Sequence, residues 1–580
     1  MHTYLRNLEN RLTDDQKDML RRIYAPTVVE TPLSDARRDI CILPDGEIRS
    51  YGYLYVDRHE GEGGVSAYLS SVDAGLSWTL HYAHGKMDSC TYLEKGNVYL
   101  TACGVNQGCK GVIGGLCVMR SEIGPDDPDP EVICLSEEAY KDIFLPTQSA
   151  FTNRVWFTCD TMENCTPTFF YSDDFGKTWN KSVLPVPHHF ETVFPHKSLR
   201  WCKGSGTEPQ AIELSENKMM MIIRTPSDSF YKAYSYDGGE TWTEPEPSIF
   251  YGTDTTAYML RLSDGRVMTF WNNTKPLSQP NIRALRPYPG DSILNGFCEN
   301  AFTNRDAAHV AISEDGGETY IGFREFLLNS VRNNSDFRYV GGAASGADKS
   351  VHQHQAYELP FGKVLVCSGQ NVAARRLVIF DINWLYETAR KEDFMCGVSA
   401  LTTHTYTRSV SGCYVRQLGN GHCAWNRTYS AYPLPDPDGG PGEVLSVSKH
   451  HDDRLINDIS GVTWNFPASR KGKVTIEMKL AEKQARFTLT DRWYNTCDPY
   501  AAVLSPFWFE LDASDTGSEF TKIVVDYDVD AGYAMVSVGG EPFFKVKMTQ
   551  PVETGISYLL LQCAADGDSE GFYVRSMEKE

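Results

Sequence analysis

The sequence predicts an all-β protein: a six-bladed β-propeller followed by a two-sheet β-sandwich. Three observations predict it. A Ser-x-Asp-x-Gly turn recurs four times, and a strand–turn–strand unit recurs six times. Beyond residue 396 both repeats stop while alternating, β-prone segments continue.

The four turns are SVDAGLSW (71–78), SDDFGKTW (172–179), SYDGGETW (235–242) and SEDGGETY (313–320). Asp can bond the turn's own amides, Gly supplies positive φ, and the closing aromatic packs beneath. One copy is weak, because Asp-Gly turns are common. Four copies that keep the aromatic indicate a repeat architecture.

The second repeat runs through ILPDGEI, YLEKGNV, SAFTNRV, ELSENKM, RLSDGRV and ELPFGKV, with lead residues Leu43, Leu93, Ala150, Leu214, Leu262 and Leu359. Each reads as strand, tight turn, strand. Units one, three, four and five carry the Ser-x-Asp turn downstream; units two and six lack it. Six such units predict a propeller whose inner strand pair is the hairpin and whose outer strands are joined by the Ser-x-Asp turn. The Pro- and Asn-rich stretch 273–303 predicts a loop at the ligand face.

The expected organisation is an N-terminal helix over 1–26, the propeller over 27–396 and the sandwich over 397–580. A short helix, DINWLYETAR, closes the propeller. KVTIEMKL, QARFTLTD, FTKIVVDYD and YAMVSVGGEPFFKVKM alternate as the strands of a lectin-like jelly roll would. Such a domain either binds sugar or braces the propeller.

Composition excludes several functions. No apolar run reaches the ~18 residues of a membrane helix. The 16 cysteines form no C-x-x-C pair and read as thiols of a reducing compartment. The first residues lack a signal-peptide pattern, so the expected location is cytoplasmic, a processed secreted form being the alternative. A net charge of −21 argues against nucleic acid. It also means that an acidic ligand would need a local arginine cluster.

In a propeller the inner strands start near the axis, so equivalent positions form rings. Six residues before each lead stand Arg37, Met87, Phe144, Glu208, Thr256 and Gln353. Ten residues after each lead stand Tyr53, Cys103, Asp160, Arg224, Asn272 and Gly369. Glu208 and Arg224, the two ends of EPQAIELSENKMMMIIR, are therefore expected to meet on the axis. A solvated Glu–Arg pair would look the same in sequence and contribute little.

The Ser-x-Asp-x-Gly-x-Thr-Trp turns resemble the Asp-box repeat of the sialidase superfamily, over residues 27–390. EPQAIEL followed by a hairpin and Arg224 resembles the sialidase segment bearing a glutamate and one arginine of a three-arginine cluster. The resemblance implies that Glu208 assists a nucleophile. It further implies that Arg224, Arg305 and either Arg37 or Arg38 hold a sugar carboxylate, as a planar guanidinium can. The acid/base would come from VDRHEGEGG, where Asp57, Glu60 and Glu62 are candidates and Glu60 and Glu62 fit the spacing best.

One departure concerns the nucleophile. Where sialidases carry a tyrosine this chain has Gln353, flanked by His352 and His354. Tyr339 would serve if a loop brought it in. The histidines, two apart on a strand, would share a face and form an acid/base pair. With His188, His189 or His196 they would suit a metal instead, although no metal or cofactor is expected.

The leading expectation is an exo-acting, sialidase-like glycoside hydrolase removing a terminal acidic sugar, sialic acid or a related ulosonic acid, from a glycan. The alternatives are a propeller enzyme using His on another sugar, such as a uronate lyase or an exo-rhamnosidase, and a non-catalytic carbohydrate-binding propeller.

Overall fold

The computed structural model describes residues 2–33, 39–54, 65–83, 85–104, 115–186, 206–225, 227–252, 255–278, 304–329, 350–370, 374–410, 425–481 and 484–580. Six antiparallel sheets form a propeller, and two larger sheets form a sandwich after it.

Blade one comprises Ile40–Ile42, Ile48–Leu54, Val65–Ser71 and Thr79–Tyr82; blade two, Thr91–Leu93, Val98–Gly104, Leu116–Ser121 and Glu131–Ser136. In blade three the inner strand is two short pieces, Tyr140–Lys141 and Thr147–Gln148, both paired with Val155–Thr161; Pro167–Ser172 and Asn180–Val183 follow. Blade four is Thr207–Ser215, Lys218–Arg224, Ser229–Ser235 and Glu246–Tyr251; blade five, Tyr258–Arg261, Val267–Trp271, Ala307–Ser313 and Ile321–Leu328. Blade six takes three strands from Gln355–Leu359, Lys363–Ser368 and Arg376–Asp381. Its fourth is Thr27–Glu30, paired antiparallel with Thr27 opposite Ile379. The start of the chain thus closes the ring and covers an edge that would otherwise invite aggregation.

The turns behave as their chemistry requires. In all four the Ser Oγ donates to the Asp carboxylate at 2.7–2.8 Å. The same Oγ accepts the Gly amide at 2.8–2.9 Å. Each Asp also accepts the amide of the following Ser or Thr at 2.9 Å. These bonds hold Asp174, Asp237 and Asp315 at a pKa of about 2 despite partial burial. Blade two keeps a variant turn: Ser121 donates to Asp127 at 2.6 Å and accepts from Gly124 at 3.0 Å.

Blades are clamped to one another by a motif shared by blades four and six, Gln-Ala-x-Glu-Leu. Gln210 bonds both backbone groups of Met259 in blade five. Gln355 does the same to Ile40 in blade one, at 2.7 and 3.1 Å. Glu213 accepts from Ser149 and Ala150 in the hairpin of blade three, at 2.7 and 2.8 Å. Glu358 accepts from both groups of Ser263 in the hairpin of blade five, at 2.6 and 2.8 Å.

The N-terminal segment is two helices, not one: Thr3–Arg11 and Asp14–Arg22. Thr13 breaks them by capping the second, with Gln16 returning the bond. Leu8, Leu12 and Leu20 pack on Ile40, Ile42, Leu359 and Leu365, across the seam between blades six and one. His2 and Tyr4 border a cavity of about 220 Å³ lined by the inner strands of blades three to six, including Phe144, Gln210, Tyr258 and Gln355. The helix expected after blade six is a 3₁₀ turn, Ile382–Tyr386.

In the sandwich, one sheet contains Lys471–Leu480, Thr521–Asp528 and Ser569–Lys579, and the other Gly461–Ser469, Ile556–Cys563 and Ala485–Thr490. Trp464, Phe466, Phe487 and Tyr527 lie between them. A two-stranded ribbon, His404–Val410 with Trp425–Tyr429, carries the sandwich onto blade five. The blade-five segment following Trp271 also docks there: Asn273 and Lys275 exchange backbone bonds with Trp493 at 2.8 and 3.0 Å. Most of the described cysteines are buried. No helix among the described residues is long and apolar enough to cross a membrane.

Candidate active site

The inner strands begin at the end of the propeller opposite the hairpins and Asp-box turns, and three ring positions meet there. Glu208 Oε2 accepts from Arg224 Nη1 at 2.9 Å and also from the Thr256 hydroxyl. Gln353 Nε2 lies 3.4 Å from both Glu208 Oε1 and Thr256 Oγ1. All four side chains are buried. A salt bridge so enclosed is not the solvated pair that sequence alone leaves open.

Equal distance from the turn is not what joins Glu208 to Arg224. Ser215 pairs with Lys218, so the turn is Glu216-Asn217, and a bulge follows Glu213. At the open end Arg224 is opposite Thr207, and a second bulge spans Thr207 to Gln210. Glu208 has φ +49°, the left-handed region, which reorients its side chain within the strand. Gly206 makes the bend fit: a Cβ there would stand 2.6 Å from the Arg224 carbonyl oxygen.

Gln353 repeats the device, with φ +63°. His352 and His354 are consequently not alternate residues of an extended strand, and the strand itself begins only at Gln355. His352 Nε2 lies 3.4 Å from Arg305 Nη1 and 3.5 Å from Gln353 Nε2. His354 is packed edge-on against Phe326. Burial lowers its pKa to about 3, and neither ring nitrogen has a partner among the described residues. The expected acid/base pair is therefore not supported: His352 borders the cluster and His354 faces the blade core. Among the described residues no three side chains group as metal ligands.

Arg305 is fully buried, and its carbonyl accepts the Val351 amide at 2.9 Å. Arg37, Arg38, Asp57, Glu60, Glu62 and Tyr339 lie outside the described residues, as do His188, His189 and His196.

Several participants escape a reading of the sequence. Asp160, buried on the second strand of blade three, accepts Thr207 Oγ1 at 2.7 Å, Lys141 Nζ at 2.9 Å and the Glu208 amide at 3.2 Å. Burial, and then Asp142, push its pKa up to about 7 against the pull of Lys141. Arg375 donates to Gly369 at 2.9 Å and to Asp39 at 2.5 Å, beside the end of blade six's second strand. Asp306, next to Arg305, is held by the ribbon: His404 lies 3.2 Å away, and Tyr406 and Arg427 also donate to it. Asp160 and Asn272 stand on the second ring, where the sequence places them without a role. Asn272 Nδ2 bonds the carbonyls of Ala307 and Val351 at 2.7 and 3.0 Å, tying blade five to blade six.

Fold, repeats and axial cluster define the class: a six-bladed, Asp-box propeller carrying a β-sandwich. Residues 141–339 match the family model described as a BNR repeat-like domain. A segment of 95 residues is 32% identical to a protein named Anhydrosialidase from Macrobdella decora, covering 16% of this chain. The match spans only 10% of that relative's length. Among solved structures, Trypanosoma rangeli sialidase in complex with sialic acid aligns at 12% identity and a TM-score of 0.35, over 96% of this chain and 94% of that one. A protein of unknown function from Dyadobacter fermentans aligns at 16% identity and a TM-score of 0.39, over 62% of this chain and 97% of its own. The family match falls on the propeller, within residues 141–339.

Proposed function

We propose that this chain is an exo-acting glycoside hydrolase that removes a terminal acidic sugar, a sialic acid or related ulosonic acid, from a glycan or oligosaccharide. The Glu208–Arg224 pair carries the reading. A carboxylate and a guanidinium are buried together at the propeller axis, and the backbone is bent to put them there. The name of the Macrobdella decora relative points to the same sugar class.

In this reading Arg224, Arg305 and Arg37 or Arg38 receive the sugar carboxylate, offsetting the net charge of −21 locally. Glu60 or Glu62, or Asp57 beside them, protonates the leaving oxygen. Glu208 polarises the nucleophile. Gln353, at the place of the family tyrosine, cannot attack carbon. Its Oε1 is a buried acceptor without a partner among the described residues. A water between that oxygen and Glu208 is the attacking group, and the reaction inverts the anomeric centre.

Aryl glycosides of sialic, uronic and neutral sugars supply the test. Turnover of the sialoside by the wild-type protein, lost in Glu208→Gln, is the expected result. Turnover of a uronic or neutral sugar alone would overturn the substrate class. Proton NMR of the first-released sugar reads the stereochemistry: a retained anomer would reject water and make Tyr339 the nucleophile.

A further inference from the structure

We propose that Asp160 is a positioning residue for Glu208: its buried carboxylate pins the Glu208 backbone in the left-handed conformation that aims the Glu208 side chain at Arg224. The catalytic half of this inference rests on the hydrolase reading; the conformational half stands on geometry alone.

A non-glycine residue in the left-handed region is strained and persists only where its surroundings over-determine it. At Glu208 the backbone is held from the neighbouring blade. The bulge interrupts the ladder with the strand Lys218–Arg224, where Thr207 is opposite Arg224 and Gln210 opposite Ile222, with Glu208 and Pro209 between. Asp160 Oδ1 accepts that amide at 3.2 Å. Its other oxygen accepts the hydroxyl of the preceding Thr207 at 2.7 Å, so one carboxylate grips two successive residues of the bend. Lys141 closes the triangle, reaching Asp160 at 2.9 Å and Thr207 Oγ1 at 2.9 Å.

The cost of this arrangement argues that it has a purpose. Asp160 is fully buried, and Asp142 stands nearby with its own bond to Lys141 at 3.3 Å. A charge in such a place is expensive unless paired and hydrogen-bonded. An amide or an apolar side chain would suit a merely structural position better. Asp160 also lies in a different blade from Glu208 and Arg224, so the orientation of that pair depends on blade three holding blade four.

The variants Asp160→Ala, Asp160→Asn and Lys141→Met test this. A crystal structure of Asp160→Ala should show Glu208 with negative φ and its bond to Arg224 broken. Asp160→Asn, the near-isostere, covers the case in which the alanine variant fails to fold; it should show faster hydrogen exchange at the Glu208 amide. On the sialoside, kcat should fall about 100-fold in either aspartate variant, with KM changed less than about twofold, as for a misplaced catalytic group. Lys141→Met should show a smaller loss of the same kind. Glu208 unchanged in φ and still bonded to Arg224 in the alanine variant, or unchanged exchange of the Glu208 amide in the asparagine variant, would overturn the proposal. So would equal losses through KM. If wild type and Glu208→Gln turn over alike, the hydrolase reading fails instead, while the structure and the amide exchange still decide the positioning role.

Discussion

Glu208 and Gln353 face each other across the axis, 3.4 Å apart between Oε1 and Nε2, and both have positive φ. Each is the sixth residue before its hairpin's lead residue. The same backbone device thus presents a carboxylate from blade four and a neutral amide from blade six. Neutrality at Gln353 matters, because a second acid there would sit against Glu208.

Gln353→Glu tests that relationship. Two carboxylates sharing a buried site cannot both ionise readily, so one pKa rises. A group whose folded pKa lies above its unfolded value favours folding at low pH and loses that contribution as pH rises through the folded pKa. The variant should therefore match wild type near pH 4 and fall behind it toward pH 8. A rise of two units corresponds to about 3 kcal/mol. Thermal melts across this range would show it; a deficit independent of pH would refute it.

The interblade clamps make a separate prediction. Gln210→Ala leaves both backbone groups of Met259 without their side-chain partner; Gln355→Ala does so for the Ile40 amide, whose carbonyl keeps the Tyr357 hydroxyl at 2.9 Å. Each should cost about 1–3 kcal/mol, as orphaned buried polar groups do. The two sites belong to different blade interfaces, so the double variant should be nearly additive. Urea denaturation should show a lower midpoint with an unchanged slope.

The Asp-box turns predict an acid dependence. Asp237 has its pKa lowered to about 2 by Thr241, Ser235 and the Glu240 amide, against partial burial. A depressed carboxylate contributes stability that is complete above its unfolded pKa and is lost as pH falls through the folded one. Asp237→Asn should be less stable than wild type at pH 6, and the gap should close between pH 4 and pH 2. A gap that stays constant over that interval would show that the turn does not depend on the charge.

Much of this architecture is legible in the sequence, for identifiable reasons. Asp-box turns need Ser, Asp and Gly at fixed spacing, so their chemistry is written locally. Counting from the hairpins places Glu208, Thr256 and Gln353 on one ring because each stands six residues before its lead residue, although the strands themselves differ in length. The bend at Glu208 is not legible, since a left-handed glutamate or glutamine has no residue-type signature. Its support on Asp160 is a contact between blades. The closing strand Thr27–Glu30 pairs with residues at the far end of the propeller, and no local pattern announces that. The buried hub at Asp306 draws donors from a ribbon in the following domain.

That hub gives the last prediction. Asp306 is fully buried and receives Arg427, Tyr406, His404 at 3.2 Å and, from its own blade, Asn329 at 3.1 Å. Burial alone would raise its pKa, but Arg427 and His404 pull it well below the usual carboxylate range. One carboxylate beside Arg305 thus gathers three of the bonds between sandwich and propeller. Removing one partner of such a buried pair typically costs about 3–5 kcal/mol, because the remaining charge is stranded. Asp306→Asn keeps the shape and removes the charge, leaving Arg427 without its counter-ion there. Scanning calorimetry should show one unfolding transition for wild type and two for the variant, the sandwich and the propeller melting apart. The wild-type coupling should itself weaken only in strong acid, since stability from Asp306 is complete above the ordinary carboxylate pKa and lost as pH falls through its lower folded value. A single transition in Asp306→Asn, displaced by less than about 1 kcal/mol, would mean that the other interdomain bonds, such as those of Trp493 with Asn273 and Lys275 and of Arg492 with Asp228, suffice to couple the two domains.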